Sequence, residues 1–395
     1  MVATDFPAQA VPRVTKSMGD ARDQLCVNTI RTLAMDAVQA ANSGHPGTPM
    51  ALAPVVYCLW QRVLRFDPNH PIWPNRDRFV LSVGHASMLL YAMLHLTGMK
   101  AVNPKYETLG RLSVTLEDIK RFRQLESKCP GHPEYRWTSG VETTTGPLGQ
   151  GLATSVGMAI AERWLANYFN RPGFDLFDYN IYAVCGDGCM MEGISGEAAS
   201  LAGHLKLDNL CWIYDNNHIT IEGNTALAYS DDVATRFIGY GWNVTRVGDA
   251  NDLEMLDRAF KTFESTDDRP TLIIVDSHIA YGAPNKQDTS AAHGEPLVRK
   301  KSGWQSATTA GRQTRSSWSQ KRCASTSRAV SERVAWLCIR RGGPCLRDID
   351  GSIRSSLTRA IACCAVNCQT AGTRGCRFFL QIAKASPLET RRARR

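Results

Sequence analysis

Apolar positions Val27, Ile30, Leu33, Ala34, Ala37, Val38 and Ala41 recur at helical spacing, which predicts a helix over 25–41 with one buried face. Ser43-Gly44-His45-Pro46-Gly47 breaks the pattern, as glycine and proline do. The apolar run 50–64 predicts a mostly buried helix. Residues 79–82 predict a short strand that ends at Gly84-His85, and 86–96 an apolar helix. Residues 98–138 are more polar and predict one helix, at 116–125. A Gly/Thr/Pro loop over 143–151 precedes a helix at 152–169.

The clearest passage follows. Strands are predicted at 181–184, 210–214, 242–247 and 271–276. Helices at 193–205, 232–240 and 253–263 separate them. Strands alternating with helices of this length predict an α/β fold, an open doubly wound parallel sheet with helices on both faces. Residues 1–24 read as a flexible lead-in, 25–297 as the folded domain and 298–395 as a segment apart.

Composition sharpens that last division. The chain has 395 residues, 43% hydrophobic and 21% charged, which excludes disorder over its whole length. Its net charge of +9 averages two unlike parts. Residues 299–395 hold 17 Arg and 4 Lys against 2 Asp and 2 Glu, a charge of +17, whereas residues 1–298 are acidic. No run of 18 apolar residues occurs, so no membrane-spanning helix is expected. The first 20 residues carry Asp5, Arg13, Lys16 and Asp20 and no apolar stretch, so a secretory signal is not expected and a cytoplasmic location is.

Gly186-Asp187-Gly188 follows a hydrophobic strand, at the edge where open α/β sheets bind ligands. Its glycines allow backbone to approach a phosphate closely. Asp215-Asn216-Asn217 follows the next strand. Adjacent strand ends would bring Asp187 and Asn217 together. A carboxylate, an amide oxygen and a main-chain carbonyl are hard ligands that suit Mg²⁺ or Ca²⁺. No GxGxxG follows the first strand and no GxxxxGK[ST] occurs, which disfavours a nicotinamide enzyme and a P-loop. Four of the nine histidines, His45, His85, His132 and His293, sit beside glycine in predicted loops. Imidazoles there can move protons or donate to an oxyanion. None shows HExxH or paired zinc spacing.

Together these segments resemble the transketolase family of thiamine-diphosphate enzymes. The motifs that carry the resemblance occur in family order over residues 20–298: Ser43-Gly44-His45-Pro46-Gly47, Gly84-His85-Ala86, Pro130-Gly131-His132-Pro133-Glu134, Thr144-Thr145-Gly146-Pro147-Leu148-Gly149-Gln150-Gly151, Gly186-Asp187-Gly188-Cys189 and Asp215-Asn216-Asn217. The confusable relative is 1-deoxyxylulose-5-phosphate synthase. The resemblance implies that Asp187, Asn217 and the Ile219 carbonyl coordinate Mg²⁺ or Ca²⁺ with the diphosphate of thiamine diphosphate. It implies Gly188 against that diphosphate and Gly146 and Leu148 at the aminopyrimidine. His85 and His293 would lie at cofactor and substrate, His45 and His132 at the sugar oxygens, and Glu192 at the interface of a homodimer. The implied reaction moves a two-carbon ketol unit from a ketose phosphate, such as xylulose 5-phosphate, to an aldose phosphate. The stretch 98–128 is longer than the common pattern and is expected to extend a surface loop.

The match to the family pattern stops near Leu297. Inserting one base after a CTG codon for Leu297, in a GC-rich coding of residues 297–302, restores Leu-Gly-Ala-Glu-Glu-Val, the continuation the family implies. Residues 298–395 are therefore expected to be an out-of-frame translation. A basic tail that binds nucleic acid is the competing reading. It is not favoured, because no helix-turn-helix or RNP-like pattern occurs and Cys363, Cys364, Cys368 and Cys376 form no paired CxxC knuckles. The family's second domain, which supplies a glutamate to the pyrimidine ring, is not recognisable. Little activity is expected of this chain by itself. The alternative function is a non-catalytic or split-subunit thiamine-diphosphate-binding protein that pairs with a separate pyrimidine domain.

Overall fold

The computed structural model describes residues 19–297. Helix α1 (Ala21–Ala41) starts at a capping box. The Asp20 carboxylate accepts from the N–H groups of Arg22 and Asp23 at 2.8 Å each, and Asp23 accepts from the N–H of Asp20 at 3.1 Å. The helix thus starts four residues before the predicted boundary, inside the stretch expected to be a lead-in, whose residues 1–18 lie outside the described residues.

Then come α2 (Gly47–Cys58), continued by a π-helical turn at Leu59–Val63, β1 (Arg78–Leu81), a 3₁₀ turn at Gly84–Ala86 and α3 (Ser87–Thr97). Strands β2 (Lys100–Val102) and β3 (Thr108–Leu112) pair antiparallel. The expected plain loop is therefore a hairpin. Its turn is built by Asn103, whose side-chain oxygen accepts from the N–H groups of Lys105 and Glu107 at 2.9 and 3.0 Å. Helix α4 (Leu116–Lys120) is half the predicted length. The chain turns left-handed at Arg123 (φ 61°) and Glu126 (φ 63°), which no helix permits.

The main unit runs α5 (Gln150–Phe169), β4 (Ile181–Gly186), α6 (Asp187–Met191), α7 (Gly193–His204), β5 (Leu210–Asn216), α8 (Val233–Gly239), β6 (Asn243–Val247), α9 (Leu253–Glu264) and β7 (Thr271–Asp276). Five strands form one parallel sheet in the order β1-β4-β5-β7-β6. Strands β4 and β5 are buried along their whole length, which is why they read as unbroken apolar runs.

Both faces are covered. The register pairs Tyr182 with Cys211 and Ala183 with Trp212, so Tyr182 and Trp212 point opposite ways. Tyr182 meets Phe260 and Phe263 of α9, with ring centroids 6.5 and 5.4 Å away. Trp212 donates from Nε1 to Ser155 Oγ of α5 at 2.9 Å and packs 5.8 Å from Phe237 of α8. A second, smaller apolar cluster (Met35, Met50, Ala280, Ala283, Ala292 and Leu297) fastens α1 and α2 to the segment after β7. No helix among the described residues is long and apolar enough to cross a membrane.

Candidate active site

The carboxyl ends of β4 and β5 lie side by side, with Gly186 in register with Asp215. Asp187 opens α6 directly after β4 and is buried. Its Oδ1 accepts from the Tyr214 hydroxyl at 2.6 Å and its Oδ2 from the His218 N–H at 3.1 Å. Burial pushes the Asp187 carboxyl up; the Tyr214 hydroxyl and the charge and N–H of His218 oppose that. The Asn217 N–H also faces this carboxylate, so Asp187 and Asn217 are neighbours, as the sequence predicts.

The Asn217 amide has a set orientation. Its nitrogen donates to Asp215 Oδ2 at 2.8 Å, and its oxygen accepts from the Ile219 N–H at 2.9 Å. The buried Asp215 also accepts from the Ser277 hydroxyl after β7. Burial raises the Asp215 carboxyl to about 7, against the pull of Ser277 and Asn217. Asp215, Tyr214 and Ser277 were not singled out as site residues by sequence. Tyr214 bonds Asp187, Asp215 bonds Asn217 and Ser277 bonds Asp215, contacts that no spacing reveals. Among the described residues no group of three His, Cys, Asp or Glu side chains forms a metal centre. The oxygens brought together here are a carboxylate and an amide, hard donors of the kind that suit a cation taking its other ligands from a phosphate.

Three histidines distant in sequence converge nearby, one of them, His293, meeting the Ile219 carbonyl. The ring of His85 lies 4.9 Å from that of His45 and 5.1 Å from that of His293, and His45 and His293 are 5.7 Å apart. Close backbone approach brings them together. A Cβ on Gly47 would lie 2.5 Å from the Ala292 carbonyl oxygen, so only glycine lets the start of α2 press on the His293 loop. A Cβ on Gly84 would lie 2.8 Å from both the Gly146 nitrogen and Thr145 Oγ1. That packs the 145–148 loop against His85.

This loop touches both groups. His132, which is exposed, lies along Gly146: a Cβ there would be 3.5 Å from the His132 ring. Leu148 packs on Gly188, where a Cβ would come within 2.8 Å of Leu148 Cδ1. Glu192 stands apart from the imidazoles. It is exposed at the start of α7 and lines an open cleft of about 860 Å³ with Glu197, His204, Arg236 and Tyr240.

The imidazoles are neutral at neutral pH. Burial lowers His45 to about 4, helped by the charges of His293, Arg123 and His132. Burial holds His85 well below the ordinary range and also lowers His293, where the Ile219 carbonyl opposes it. His132 is lowered by its partial burial and by Arg123, against Glu134. A neutral imidazole offers one donor and one acceptor. Nδ1 of His45, Nδ1 of His293 and Oγ1 of Thr145 are buried with no hydrogen-bond partner. Leaving such a group unpaired costs about 1–3 kcal/mol. All three belong to or adjoin the imidazole cluster, and a polar ligand bound there would satisfy them.

A sheet edge that presents hard oxygens, joined to an imidazole cluster by a glycine-rich loop, defines a cofactor-binding α/β domain. The family model described as "Transketolase, thiamine diphosphate binding domain" matches residues 22–329. The transketolase of Nostoc sp. is 51% identical over 290 residues, covering 71% of this chain and 42% of that protein. Transketolase 1 of Escherichia coli is 44% identical over 353 residues, covering 84% and 51%. The crystal structure of transketolase from Campylobacter jejuni superposes with a TM-score of 0.71 at 41% identity, over 81% of this chain and 47% of that one. The chain belongs to the transketolase family. It spans about two fifths to one half of the length of these relatives. The family match runs past residue 297 into the basic segment, which lies outside the described residues together with the reading-frame expectation.

Proposed function

We propose that this chain supplies the diphosphate- and metal-holding part of a thiamine-diphosphate site for ketol transfer between sugar phosphates. The observation that carries the reading is the joining, by the 145–148 loop, of the Asp187–Asn217 oxygen pair to the His45–His85–His293 cluster. Asp187, Asn217 Oδ1 and the Ile219 carbonyl would hold Mg²⁺, or Ca²⁺ in its place. Gly188 leaves room for the diphosphate, and Gly146 and Leu148 would flank the aminopyrimidine. The unpartnered nitrogens of His45 and His293 and the Thr145 hydroxyl support a polar group between the two ends.

When bound, thiamine diphosphate supplies the electron sink for carbon–carbon cleavage. The protein's share is position and proton traffic. His45 and His132 would bond sugar oxygens, and as neutral imidazoles each can take a proton at one nitrogen and give one at the other. His85 and His293 would do the same at the reacting carbon. Xylulose 5-phosphate is the proposed ketose donor, with ribose 5-phosphate as acceptor. Glu192, exposed on its own cleft, would meet the partner subunit of a homodimer.

Ketol transfer is proposed to need a pyrimidine-binding segment, in the same polypeptide or a second one. The test supplies the chain with thiamine diphosphate, Mg²⁺, xylulose 5-phosphate and ribose 5-phosphate, and follows glyceraldehyde 3-phosphate. Release is expected once a polypeptide carrying a relative's pyrimidine domain is added. A folded mixture that releases none would overturn the reading.

A further inference from the structure

Arg31, halfway along α1, is only 3% exposed. A guanidinium keeps its proton at neutral pH, so a full positive charge lies in the interior. Burial pulls it down to about 10, opposed by Tyr281 and Asp249. Its hydrogen bonds go to neutral acceptors. Nε donates to the Met50 carbonyl at 2.9 Å and one terminal nitrogen to Asn251 Oδ1 at 2.6 Å. The other donates to Asn28 Oδ1, on its own helix, at 3.3 Å. Its Cζ lies 4.4 Å from the centre of the Tyr281 ring.

These contacts meet at one seam. Met50 stands in the first turn of α2, into which His45-Pro46-Gly47 leads, and its N–H donates to the Pro46 carbonyl at 3.1 Å. Tyr281 follows Ala280, whose N–H donates to the Gly47 carbonyl at 3.0 Å. Gly47 in turn presses on the Ala292 carbonyl, next to His293. Asn251, itself buried, lies between β6 and α9 and is held by Asp249 Oδ1, to its N–H at 2.9 Å and its side-chain nitrogen at 3.0 Å. One side chain thus ties the root of the His45 loop, the segment that leads to His293 and the β6–α9 loop. An apolar residue would fill the seam without burying a charge. What it lacks is donors aimed in several directions from one rigid plane.

We propose that Arg31 is a positioning residue that sets the approach of His45 to His293, and with it the spacing of two imidazoles that work on the sugar. The consequence for the sugar rests on the function proposed above; the spacing of the rings does not. The two ring centres are 5.7 Å apart, so their protons are within reach of a nuclear Overhauser cross-peak.

The test compares that cross-peak in the full chain with the one in Arg31→Lys, which keeps the charge and loses the fork. It is expected to fall about threefold or more. The cross-peak between Trp212 and Phe237, in the core at 5.8 Å, should stay as it is. Loss of both together would show a general loosening and overturn the proposal. Should Arg31→Lys fail to fold, Asn251→Ala removes one anchor and keeps the arginine, with about a twofold fall expected. An unchanged His45–His293 cross-peak in the folded variant would overturn the proposal. The second readout adds a polypeptide carrying a relative's pyrimidine domain. There kcat for ketol transfer should drop about tenfold in Arg31→Lys, with affinity for thiamine diphosphate and Mg²⁺ within twofold of the parent. An equal loss of cofactor affinity would assign Arg31 to the whole site and overturn the proposal. No transfer by the parent mixture, with the change in ring spacing intact, would support the positioning and count against the proposed function alone.

Discussion

The two parts of the candidate site, the sheet edge and the histidine cluster, are built on opposite principles. At the sheet edge the polar side-chain atoms already have protein partners. Asp187 accepts from Tyr214 and His218, and Asn217 is held between Asp215 and Ile219. At the histidine end the rings touch one another, and two of their nitrogens bond nothing. On the proposed function, the first end would be a preset ligand field, in which buried hydrogen bonds aim oxygens before any cation arrives. The second holds unsatisfied polar atoms, which a substrate would complete if the proposed function holds. The difference predicts where a mutation acts through binding of the cofactor and where through chemistry on the sugar.

The largest expected effect is at the preset end. Asp187→Ala removes the charged ligand and should weaken Mg²⁺-dependent thiamine diphosphate binding by about a hundredfold or more, measured by calorimetry. His85→Ala should leave that affinity within a few-fold of the parent. Equal losses in both variants would erase the contrast between the ends.

Next is Gly188→Ala, whose methyl would lie 2.8 Å from Leu148 Cδ1. About a tenfold loss of affinity is expected, and adding Leu148→Ala should recover part of it. A double variant no better than the single one would place the clash elsewhere. Tyr214→Phe deletes one hydrogen bond to Asp187 and should cost about 1 kcal/mol of cofactor binding, roughly a fivefold change.

A separate effect, outside cofactor binding, is on stability against pH. The folded-state pKa of His45 is about 4, below its ordinary value of 6.5, so the unfolded chain binds the proton first. His45 therefore costs the fold nothing above pH 6.5. Its penalty grows as pH falls from about 6.5 to 4. Denaturant melts of parent and His45→Gln across that window should converge at pH 7 and separate toward pH 4, with the variant gaining relative to the parent. Parallel curves would mean that His45 titrates normally.

Much of the main sheet was legible because buried parallel strands must be apolar throughout. The predicted and observed bounds of β7 coincide, and β4 and β5 were found two residues short. The shortfall has a reason: the last residues, Cys185-Gly186 and Asp215-Asn216, already belong to the site, where function overrides strand composition. Helix α4 was overextended because Phe122 and Leu125 continue its apolar spacing, whereas the turn at Arg123 answers to Gly44 and Gly131, far away in sequence. The hairpin was missed although Asn103-Pro104 is a turn signal, since its strands carry one buried residue between them, Ala101.

In the site, the Asp187–Asn217 pairing followed from consecutive strands. The meeting of His45, His85 and His293 did not follow from periodicity, because it depends on which loops the sheet order stacks at one edge; only the family resemblance anticipated it. Thr145 gave no signal of its own, as a buried unpartnered hydroxyl is visible only in three dimensions. For residues 298–395, sequencing the gene across codons 290–310 decides the reading-frame proposal. A missing base with the family's continuation restored beyond it is expected, and an intact frame would make the basic segment genuine.

The central claim is that a divalent ion, held by oxygens preset at the ends of β4 and β5, anchors the diphosphate of the cofactor. The most direct measurement is a calorimetric titration of the full chain with thiamine diphosphate, once with Mg²⁺ and once with the metal chelated. Saturable binding that collapses on chelation is the predicted result. Binding of equal strength in both conditions, or none in either, would contradict the account.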